Sequence, residues 1–577
     1  MERDGDNLIE ENCLTNGHFE GEPFLFSSKV FLDNVGEVIL CFSSTGLSWK
    51  SADSLCDQEK SPCLGRVFRS ESAAEIYFSD VYATKLTGWG VIQQPAGCCF
   101  LHQDLEMHRF VVHGMQKSKA NPSLWQLVEY TFGHKNQPVC QMLVDQITAH
   151  LNKEMGRPKS LLVFVNPKSG KGNGQKIWEG VAPIFSRAKV KAQVTVTERA
   201  GHAFDQVASM TSRELNTYDG IVAVGGDGLF NEILNGLTTS RFKGKCPPVP
   251  PDFLTSTEKD PSDLVFDPNE APAGTEETSC STGDDVGFSI PHKWFRLGLI
   301  PGGSTDAIVI CTTGVRDPTT SALHIVLGKR IGLDIAQVVR WKATNTSKVE
   351  PLVRYTASFV GYGFYGDVIT ESEKYRWMGP KRYDVAGTQV FLRHKSYEAE
   401  VSYLDLKYEE TTQHLEEGNL KVGTRSLKNH NKKREREICR TNCEICCMPS
   451  PSTSEPKWLS AKGRYLSVGA AVISCRNERA PDGLVADAHL SDGLLHLILI
   501  KTCPHPSYLW HLTHLARKGG SPLDFKFVEH HKTPAFVFTS VGKEGVWNLD
   551  GEILHAHKLS AQVFRGLVNL FAAGPEN

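Results

Sequence analysis

The sequence predicts a multidomain protein with a β-rich N-terminal domain, a central α/β domain and a mainly antiparallel C-terminal domain. Three observations support this prediction. The chain has 577 residues, of which 40% are hydrophobic and 22% charged, so it contains enough apolar material for several cores. Strand-like runs come first, and strands then alternate with helices, which is typical of a parallel sheet. Beyond about residue 330 the strand-like runs return.

Residues 1–24 are expected to form a flexible tail, and residues 25–155 a domain of short strands followed by one helix. In that helix, Val139, Met142 and Leu143 begin an apolar pattern at helical spacing. Many strands followed by one helix indicate a capped β-barrel, the order of a pleckstrin-homology domain. A β-rich packing module remains an open alternative. The lysines that are candidates for a phosphoinositide-binding rim are Lys50, Lys85, Lys117 and Lys119.

The central domain is predicted over residues 156–330, where runs such as "SLLVFVNPKSGKGNG" and "GIVAVGGDG" place a glycine-rich break after each strand. Ligands of parallel sheets bind where the strands end at their carboxyl edge. Residues 242–291 are rich in Pro, Ser, Thr and acidic residues and are expected to form a mobile insertion. Residues 331–577 are predicted to form an antiparallel β-sandwich domain with a second insertion at 405–460.

Composition narrows the class of protein. The formal net charge is −3, so there is no global electrostatic reason to expect nucleic-acid binding. The N-terminus is acidic and lacks the pattern of a signal peptide, and no apolar run approaches the roughly 18 residues that span a bilayer. We therefore expect a cytoplasmic protein. Its 16 cysteines are expected to be mostly reduced thiols, because a chain of this length needs no disulfides to fold.

Three glycine-rich loops carry the strongest functional signal. "NPKSGKGNG" contains Gly170, Gly172 and Gly174 between a strand and a helix, where glycine lets backbone N–H groups approach phosphate oxygens. It lacks the Gly-Lys-Ser/Thr ending of the common nucleoside-triphosphate loop. The alternative to a phosphate-binding loop here is a simple turn. "GGDG" surrounds Asp227 with glycines, more than a helix cap requires. "PGGSTD" adds hydroxyl donors.

The motifs "NPKSGKG", "GGDGLFNE", "IPGGSTD", "GYGFYGDV", "SEKYRWMGPKRYD" and "NLDGE" occur in one order along the chain. In this order they resemble the diacylglycerol-kinase-like lipid kinase superfamily, which includes the sphingosine kinases. The resemblance covers residues 156–570 apart from the insertions. It extends in particular to the ceramide kinase family, whose members combine a pleckstrin-homology domain with a C-x3-C-x2-C cluster.

The resemblance implies a set of residues that contact ATP. They are Asn166, Pro167, Lys168, Thr197, Glu198, Arg199, Ala200, Gly201, Glu232, Gly303, Ser304, Thr305, Arg376, Arg382, Asp550, Gly551 and Glu552. Gly303 stands where family members also have alanine. The alternative interpretation of Arg376 and Arg382 is that they are ordinary charged residues on the protein surface.

The resemblance also implies the substrate side of the site. Gly225, Gly226, Asp227 and Gly228 form the substrate and phosphate loop, and Asp367 faces the lipid headgroup. Asp227 is the expected general base, because phosphoryl transfer to an alcohol requires the hydroxyl to lose its proton. The implied activity is ATP- and Mg²⁺-dependent phosphorylation of ceramide at a membrane surface, with Ca²⁺ as an alternative cation. Sphingosine or diacylglycerol kinase activity, or a catalytically dead membrane adaptor, remain alternatives.

Two further motifs are less specific. Cys439, Cys443, Cys446 and Cys447 fall into three open interpretations: a metal or redox site, a lipid contact, or an insertion without a specific role. The stretch "SYLWHLTHLARKG" is predicted to form an amphipathic helix with Leu509, Leu512 and Leu515 on its apolar face. Packing on the protein surface is the favoured role for it, and calmodulin binding is the alternative that the resemblance suggests.

Overall fold

A computed structural model of the chain describes most of the elements predicted from the sequence. The described residues are 25–52, 74–94, 105–239, 241–242, 247–248, 294–341, 352–405, 439–440, 443–447, 457–541 and 545–575. The predicted tail and most of both predicted insertions, 242–291 and 405–460, lie outside these residues. The predicted domain boundaries stay predictions.

The N-terminal region forms one antiparallel seven-stranded sheet in the order β4-β3-β2-β1-β7-β6-β5. Its strands are β1 (Phe26–Leu32), β2 (Gly36–Phe42), β3 (Gly46–Ser51), β4 (Ala74–Tyr77), β5 (Val81–Ile92), β6 (Leu105–Lys117) and β7 (Trp125–His134). Helix α1 (Gln137–Lys153) packs Leu143 and Ile147 into the core of this sheet. Met142 is exposed, so its predicted place on the apolar face is wrong, and Cys140 and Val144 complete that face instead.

The central region is a parallel sheet in the order β9-β8-β10-β11, as the alternating pattern predicts. Its strands are β8 (Ser160–Val165), β9 (Lys191–Val196), β10 (Gly220–Gly225) and β11 (Arg296–Pro301). Its helices are α2 (Ser169–Gly172), α3 (Gly174–Arg187), α4 (His202–Ser209), α5 (Ser212–Leu215), α6 (Asp227–Thr239), α7 (Ala307–Thr313) and α8 (Pro318–Val326).

Both faces of the central sheet are covered. Along β8, Leu162 and Phe164 enter the core that contains residues of α4 and α6. Leu161 and Val163 alternate with them and enter the core that contains residues of α3 and α8. A strand buried on both faces needs a continuous apolar run, which explains why β8 and β10 lack polar alternation.

The C-terminal region is rich in antiparallel sheet. Its strands are β12 (Ile331–Trp341), β13 (Leu352–Thr356), β14 (Phe359–Gly363), β15 (Tyr397–Asp405), β16 (Lys457–Ala471), β17 (Leu495–Lys501), β18 (Val528–Thr533), β19 (Ala535–Ser540), β20 (Gly545–Leu549), β21 (Glu552–Ala556) and β22 (Lys558–Leu570). Its helices are α9 (Phe364–Glu373), α10 (Arg382–Arg393), α11 (Glu444–Cys447) and α12 (His505–Ala516). Strand β22 pairs with β12 and β19 and also meets β11, so the central and C-terminal strands form one continuous sheet.

Helix α12 differs from its predicted amphipathic pattern. Tyr508 and His511 are its buried side chains, and Leu512 packs against the core. Leu509 is 51% exposed and Trp510 59% exposed. The apolar face is therefore rotated by one residue from the prediction, and Leu509 does not belong to it.

The N-terminal sheet packs against the central region. The backbone N–H of Trp125 donates to Thr320 Oγ1 at 3.1 Å, and the Trp125 ring meets His324 edge-on. Arg157 donates to the carbonyl oxygens of Phe78 and Val81, both at 2.7 Å. These contacts join β7 to α8, and the segment between β4 and the start of β5 to Arg157 just before β8, so the two regions share a polar and aromatic interface.

Three of the candidate rim lysines lie on different strands, Lys50 on β3, Lys85 on β5 and Lys117 at the end of β6. Lys85 lies near His113, whose pKa is lowered chiefly by burial and further by this lysine. His113 contacts Glu129, which pairs with Arg187 at the end of α3, so Lys85 lies on the side of the sheet that faces α3. Burial raises the pKa of Asp80, and nearby Lys117 partly offsets it. Lys50 lies on β3, in the other half of the sheet. Among the helices that the structure describes, none is long and apolar enough to cross a membrane.

Candidate active site

The three glycine-rich loops meet at the carboxyl edge of the central sheet. They follow β8, β10 and β11, which are neighbours in register, with Gly225 opposite Pro301. The N–H of Gly302 donates to the carbonyl of Gly225 at 2.9 Å. The N–H of Asn166 donates to the carbonyl of Val224 at 3.0 Å. Loops that are far apart in the sequence therefore build one backbone-lined edge.

Two of these loops touch through their glycines. A Cβ atom at Gly226 would lie 2.9 Å from Gly303 Cα, and a Cβ at Gly303 would lie 2.5 Å from Gly226 Cα. Neither distance is acceptable without movement of backbone. Side chains are thus excluded from the place where the loops converge, and the loops present backbone there.

The first loop runs from Asn166 into the short helix α2. The Asn166 side chain accepts the backbone N–H of Lys168 at 3.0 Å, which turns the chain immediately after β8. Gly170 and Gly172 both have positive φ, at 60° and 85°, a conformation that glycine adopts without strain. Lys168 is exposed at this edge.

The segment 197–201 follows β9 at the same edge. Thr197 is buried, and its N–H donates to the carbonyl of Val165 at 2.8 Å. Gly201 has φ of 78° and precedes α4. The Arg199 guanidinium pairs with Asp205 at 2.5 Å. The segment is therefore anchored to β8, the strand that leads into the first loop.

Asp227 is the first residue of α6, and its carboxylate bridges to another helix. Its two oxygens accept the N–H groups of Ala307, at 2.9 Å, and Ile308, at 3.1 Å, at the start of α7. Burial raises the pKa of Asp227 to about 7; the two N–H groups oppose this shift, and the carboxylates of Asp306 and Asp550 add to it. A carboxylate with this pKa exchanges a proton near neutral pH.

The third loop contains an ion pair that was not anticipated from the sequence. Asp306 is fully buried, with φ of 51°, and accepts the N–H of Gly303 at 2.9 Å. Arg316 Nε donates to Asp306 at 2.6 Å, and Arg316 Nη2 donates to the carbonyl of Gly303. Arg316 also pairs with Glu478 at 2.9 Å. Arg316 thus holds the glycine loop in place, and no local sequence signal pointed to it.

The "NLDGE" motif forms the hairpin turn between β20 and β21. Asp550 and Gly551 both have positive φ, at 48° and 92°, as expected for a two-residue hairpin turn. The Asp550 carboxylate accepts the N–H groups of Ala357, Ser358 and Phe359 at 2.7–3.2 Å. Asp550 therefore anchors the start of β14, a structural contact beside its predicted role.

Three acidic side chains form a group next to this turn. Burial raises the pKa of Glu552, with the carboxylates of Asp550 and Glu232 adding to the shift. Glu232 Oε2 is buried and has no hydrogen-bond partner among the described residues. Carboxylate oxygens are the ligands that Mg²⁺ prefers. The Asp550 oxygens, however, are taken by backbone N–H groups, and within the described residues the ligand atoms of these three side chains do not converge on one point, so they do not form a magnesium site in this arrangement.

Arg376 and Arg382 lie on the surface beside α9. Both pair with Glu373, Arg376 at 2.5 Å and Arg382 at 3.4 Å. Arg376 is 73% exposed in its side chain. Within the described part of the chain, these ion pairs direct both arginines to α9 rather than to the glycine loops.

Asp367 lies in the first turn of α9, away from the glycine loops. Its carboxylate accepts the Tyr397 hydroxyl, and burial raises its pKa. The side chain lines a narrow cavity whose other walls are mostly apolar and aromatic. These walls are Phe364, Val390, Phe391, His394, Lys395, Leu466 and Tyr508. The carboxylate is therefore the acidic group of an otherwise largely apolar cavity.

The sequence matches two family models. Residues 160–254 match the diacylglycerol kinase catalytic domain, and residues 358–577 match the ceramide kinase C-terminal domain. A crystal structure of a diacylglycerol kinase from Bacillus anthracis str. Sterne is similar with a TM-score of 0.40, at 12% identity over 72% of this chain and 97% of that one.

Curated relatives cover nearly the whole chain. The chain is 52% identical to the ceramide kinase of Arabidopsis thaliana, over 95% of this chain and 96% of that protein. It is 50% identical to the ceramide kinase of Oryza sativa subsp. japonica, over 95% and 99%. It is 33% identical to the ceramide kinase of Homo sapiens, over 81% and 83%. The chain belongs to the ceramide kinase family.

Proposed function

We propose that this protein transfers the γ-phosphoryl group of ATP to the primary hydroxyl of ceramide, giving ceramide 1-phosphate. The observation that carries the proposal is the convergence of three glycine loops on one carboxylate, Asp227, whose pKa is about 7. The names of the relatives supply the lipid class. The site geometry alone fits transfer of a phosphoryl group to an alcohol.

Backbone N–H groups of the three loops bind the ATP phosphates, because the glycines keep side chains out of their way. Ser304 and Thr305 are exposed on the third loop and offer hydroxyl donors. Mg²⁺ would enter with ATP and neutralise phosphate charge when bound, and Glu232, whose Oε2 is buried without a hydrogen-bond partner among the described residues, is the carboxylate that would be available to it. These residues position ATP and leave Asp227 to act on the alcohol.

Asp227 accepts the proton of the lipid hydroxyl. One lone pair of each oxygen is engaged by a backbone N–H, so the carboxylate is held in one orientation and keeps further lone pairs for a proton. General-base catalysis of this kind is worth roughly 10²- to 10⁴-fold in rate, and positioning of the two substrates supplies the remainder.

Asp367 orients the ceramide headgroup. Its carboxylate accepts a hydrogen bond from the ceramide amide or hydroxyl. The cavity beside it has a volume of about 10 Å³, room for about one water molecule, so its apolar walls must move apart for lipid to enter. The Tyr397 hydroxyl already donates to Asp367 and fixes its rotamer. Headgroup and phosphate sites then lie on different helices, α9 and α6.

We assign the N-terminal sheet and α1 to a pleckstrin-homology-like barrel, and the C-terminal strands to a β-sandwich domain. The strand order and the single packed helix support the first assignment. The N-terminal domain brings the enzyme to membranes, with phosphoinositides as the headgroup class, and Lys50 on β3 and Lys119 in the loop between β6 and β7 are its candidate rim lysines. Calmodulin binding at α12 stays a prediction, and exposed Leu509 and Trp510 are its candidate anchors.

A lipid panel tests the activity. Purified full-length protein with labelled ATP and Mg²⁺ is offered ceramide, sphingosine and diacylglycerol in the same micelles. Ceramide is expected to be phosphorylated well above the other two. Faster turnover of sphingosine or diacylglycerol would overturn the ceramide assignment, and absence of transfer to any lipid would overturn the kinase activity itself.

Two variants test the headgroup role. Asp367→Ala is expected to lower ceramide use by on the order of 10²-fold while ATP binding is retained, because a misplacement of about 1 Å has that effect. Tyr397→Phe is the matched control, since it removes the buttressing hydroxyl and keeps the carboxylate. An equal loss in both variants would contradict direct contact between Asp367 and lipid.

Vesicle binding tests the membrane role in the full chain. Reversing Lys50 and Lys119 to glutamate is expected to weaken binding to phosphoinositide-containing vesicles, because each basic residue near an anionic surface contributes about 1 kcal/mol. The control reverses Lys191 and Lys462, which are exposed in the central and C-terminal regions. Equal effects of both pairs would contradict a specific N-terminal rim.

A further inference from the structure

In the folded chain, a histidine joins three of the four clustered cysteines. Cys439, Cys443, Cys446 and His489 each offer one ligand atom, and these atoms all lie within 4.8 Å of one another. Cys439 Sγ and Cys446 Sγ are 3.5 Å apart, and Cys443 Sγ and His489 Nε2 are 3.4 Å apart. Ligands of a tetrahedral zinc ion, at about 2.3 Å for sulfur and 2.0 Å for nitrogen, are separated by about 3.5–3.8 Å.

We propose that Cys439, Cys443, Cys446 and His489 form a structural Cys3His zinc site. Three thiolates and one imidazole are a ligand set that zinc favours, and four protein ligands leave no open position for chemistry. A set of four cysteines, which the sequence suggested as a possibility, would require the adjacent residues Cys446 and Cys447 to bind one ion. His489 removes that difficulty, and no local spacing rule relates it to the cysteines.

The site joins a distant segment to the C-terminal core. Cys439 belongs to the largest hydrophobic core cluster, and Cys443 and Cys446 pack against it. Arg565 of β22 donates to the carbonyls of Ile445 and Ser491, which lie on the two segments that supply the ligands. A metal ion here would cross-link residues 439–446 to the loop that contains His489, as structural zinc sites do in short segments.

The same loop reaches the third glycine loop. Between Ala471 at the end of β16 and His489, Ser474 Oγ lies 3.2 Å from Cys311 Sγ of α7. Farther along, Glu478 pairs with Arg316, the residue that holds Gly303. Metal loss is therefore expected to loosen the ATP-side loop as well as the cysteine segment, although no ligand of the metal contacts a substrate.

Metal binding also has a local consequence at His489. The N–H of Ser491 donates to His489 Nδ1 at 3.0 Å, so a neutral ring in this arrangement carries its proton on Nε2, facing Cys443. A zinc ion at Nε2 displaces that proton, and Nδ1 becomes the N–H of the ring. The Ser491 amide must then turn away, and the holo form is expected to differ from this arrangement at residues 489–491.

Elemental analysis of full-length protein, purified without a polyhistidine tag, tests the site. About one zinc per chain is expected. Replacement by Co²⁺ is expected to give the intense visible bands of a tetrahedral site with thiolate ligands. Zinc-free protein from zinc-supplemented cells, or a Cys439–Cys446 disulfide in the isolated chain by mass spectrometry, would overturn the proposal.

Variants identify the ligands. Cys443→Ser and His489→Gln are expected to lose zinc, whereas His489→Cys restores it because thiolate can replace imidazole at a tetrahedral site. Cys447→Ser, Cys41→Ser and His496→Gln are controls that are expected to retain one zinc per chain; Cys41 and His496 are buried outside the cluster. Full zinc content in His489→Gln would overturn the four-ligand assignment, and so would loss in Cys447→Ser. The cobalt spectrum of the unaltered protein remains informative if a variant fails to fold.

Discussion

Asp227 and Asp334 experience similar electrostatic conditions in two different regions of the molecule. Each carboxylate accepts two backbone N–H groups, Asp227 from the start of α7 and Asp334 from Gly493 and Gly566. The pKa of each is raised to about 7, in both cases chiefly by burial. Asp334 has no exposed area, whereas Asp227 is partly exposed at the edge of the parallel sheet.

The comparison shows that a raised pKa does not by itself identify a catalytic carboxylate. Asp334 lies in β12 and holds together the loop before β17 and the bulge of β22, so its acceptor capacity is used for structure. Asp227 has the same capacity but lies partly exposed at the carboxyl edge of the parallel sheet, next to the contact between Gly226 and Gly303. Access for a second molecule, rather than the pKa, distinguishes the two sites.

Asparagine substitution separates catalysis from structure with the largest expected effect. Asp227→Asn is expected to lower turnover by about 10²-fold or more, because the amide cannot take a proton. Asp334→Asn has the same local cost in stability, because an NH2 group then faces a backbone N–H. It is expected to retain turnover within about threefold, because it changes the stability of the fold and not the groups that react. Steady-state kinetics with ceramide and ATP measure both. Similar turnover in the two variants would remove the case for Asp227 as the base.

Forcing the two glycine loops beside Asp227 apart is expected to have the next largest effect. The Cβ of Gly303→Ala would lie 2.5 Å from Gly226 Cα, so the two loops must separate. We expect a decrease of at least about 10-fold in kcat/KM for ATP, since displacements near 1 Å are sufficient for such losses. Gly180→Ala in α3 is the control, because its Cβ meets nothing within 4 Å. Unchanged kinetics in Gly303→Ala would show that the close approach of the two loops is not needed for ATP binding.

A substitution of Arg316 tests whether the third glycine loop needs the contacts of this side chain in order to bind ATP. Arg316→Lys keeps the charge but cannot contact Asp306, Gly303 and Glu478 together, because an ammonium lacks the planar fork of donors. The KM for ATP is expected to rise about 3- to 10-fold. Arg479→Lys, which alters an exposed pair with Asp384, is expected to leave the KM unchanged. An equal rise of the KM for ATP in both variants would contradict a specific role of the Arg316 contacts.

The features that the sequence predicted correctly depend on local rules. Glycine between a buried strand and a helix has few uses, so the breaks at 170–174, 225–228 and 301–306 were identified without knowledge of the fold. The parallel order of β8, β10 and β11 follows from the strand and helix alternation. The roles of the individual site residues remain predictions.

The features that were missed depend on long-range contacts or on small rotations. Arg316 contacts Gly303 on the other side of α7, and His489 contacts Cys443, 46 residues earlier in the chain, only through the tertiary fold. Met142 and Leu509 were assigned to apolar faces that the fold rotates by one position. Hydrophobic spacing fixes the period of a helix but not which of two adjacent apolar residues faces the core.

The pH dependence of stability gives the smallest effect and completes the comparison. Between the unfolded pKa of about 3.9 and the folded pKa of about 7, the native state holds a proton on Asp334 that the unfolded chain has lost. The contribution of this proton to the free energy of unfolding is therefore fully present below pH 4 and disappears as pH rises to about 7. Over this range the free energy of unfolding falls by up to about 1.4 kcal/mol per pH unit.

Asp334→Asn is expected to flatten that slope, as measured by urea denaturation from pH 5 to 8, and Asp227→Asn is expected to flatten it similarly. The kinetics should differ: kcat/KM of Asp334→Asn keeps an acid limb near pH 7, because deprotonated Asp227 is still required, whereas the residual activity of Asp227→Asn lacks that limb. An acid limb that survives in Asp227→Asn would assign it to another group and leave both carboxylates with structural roles.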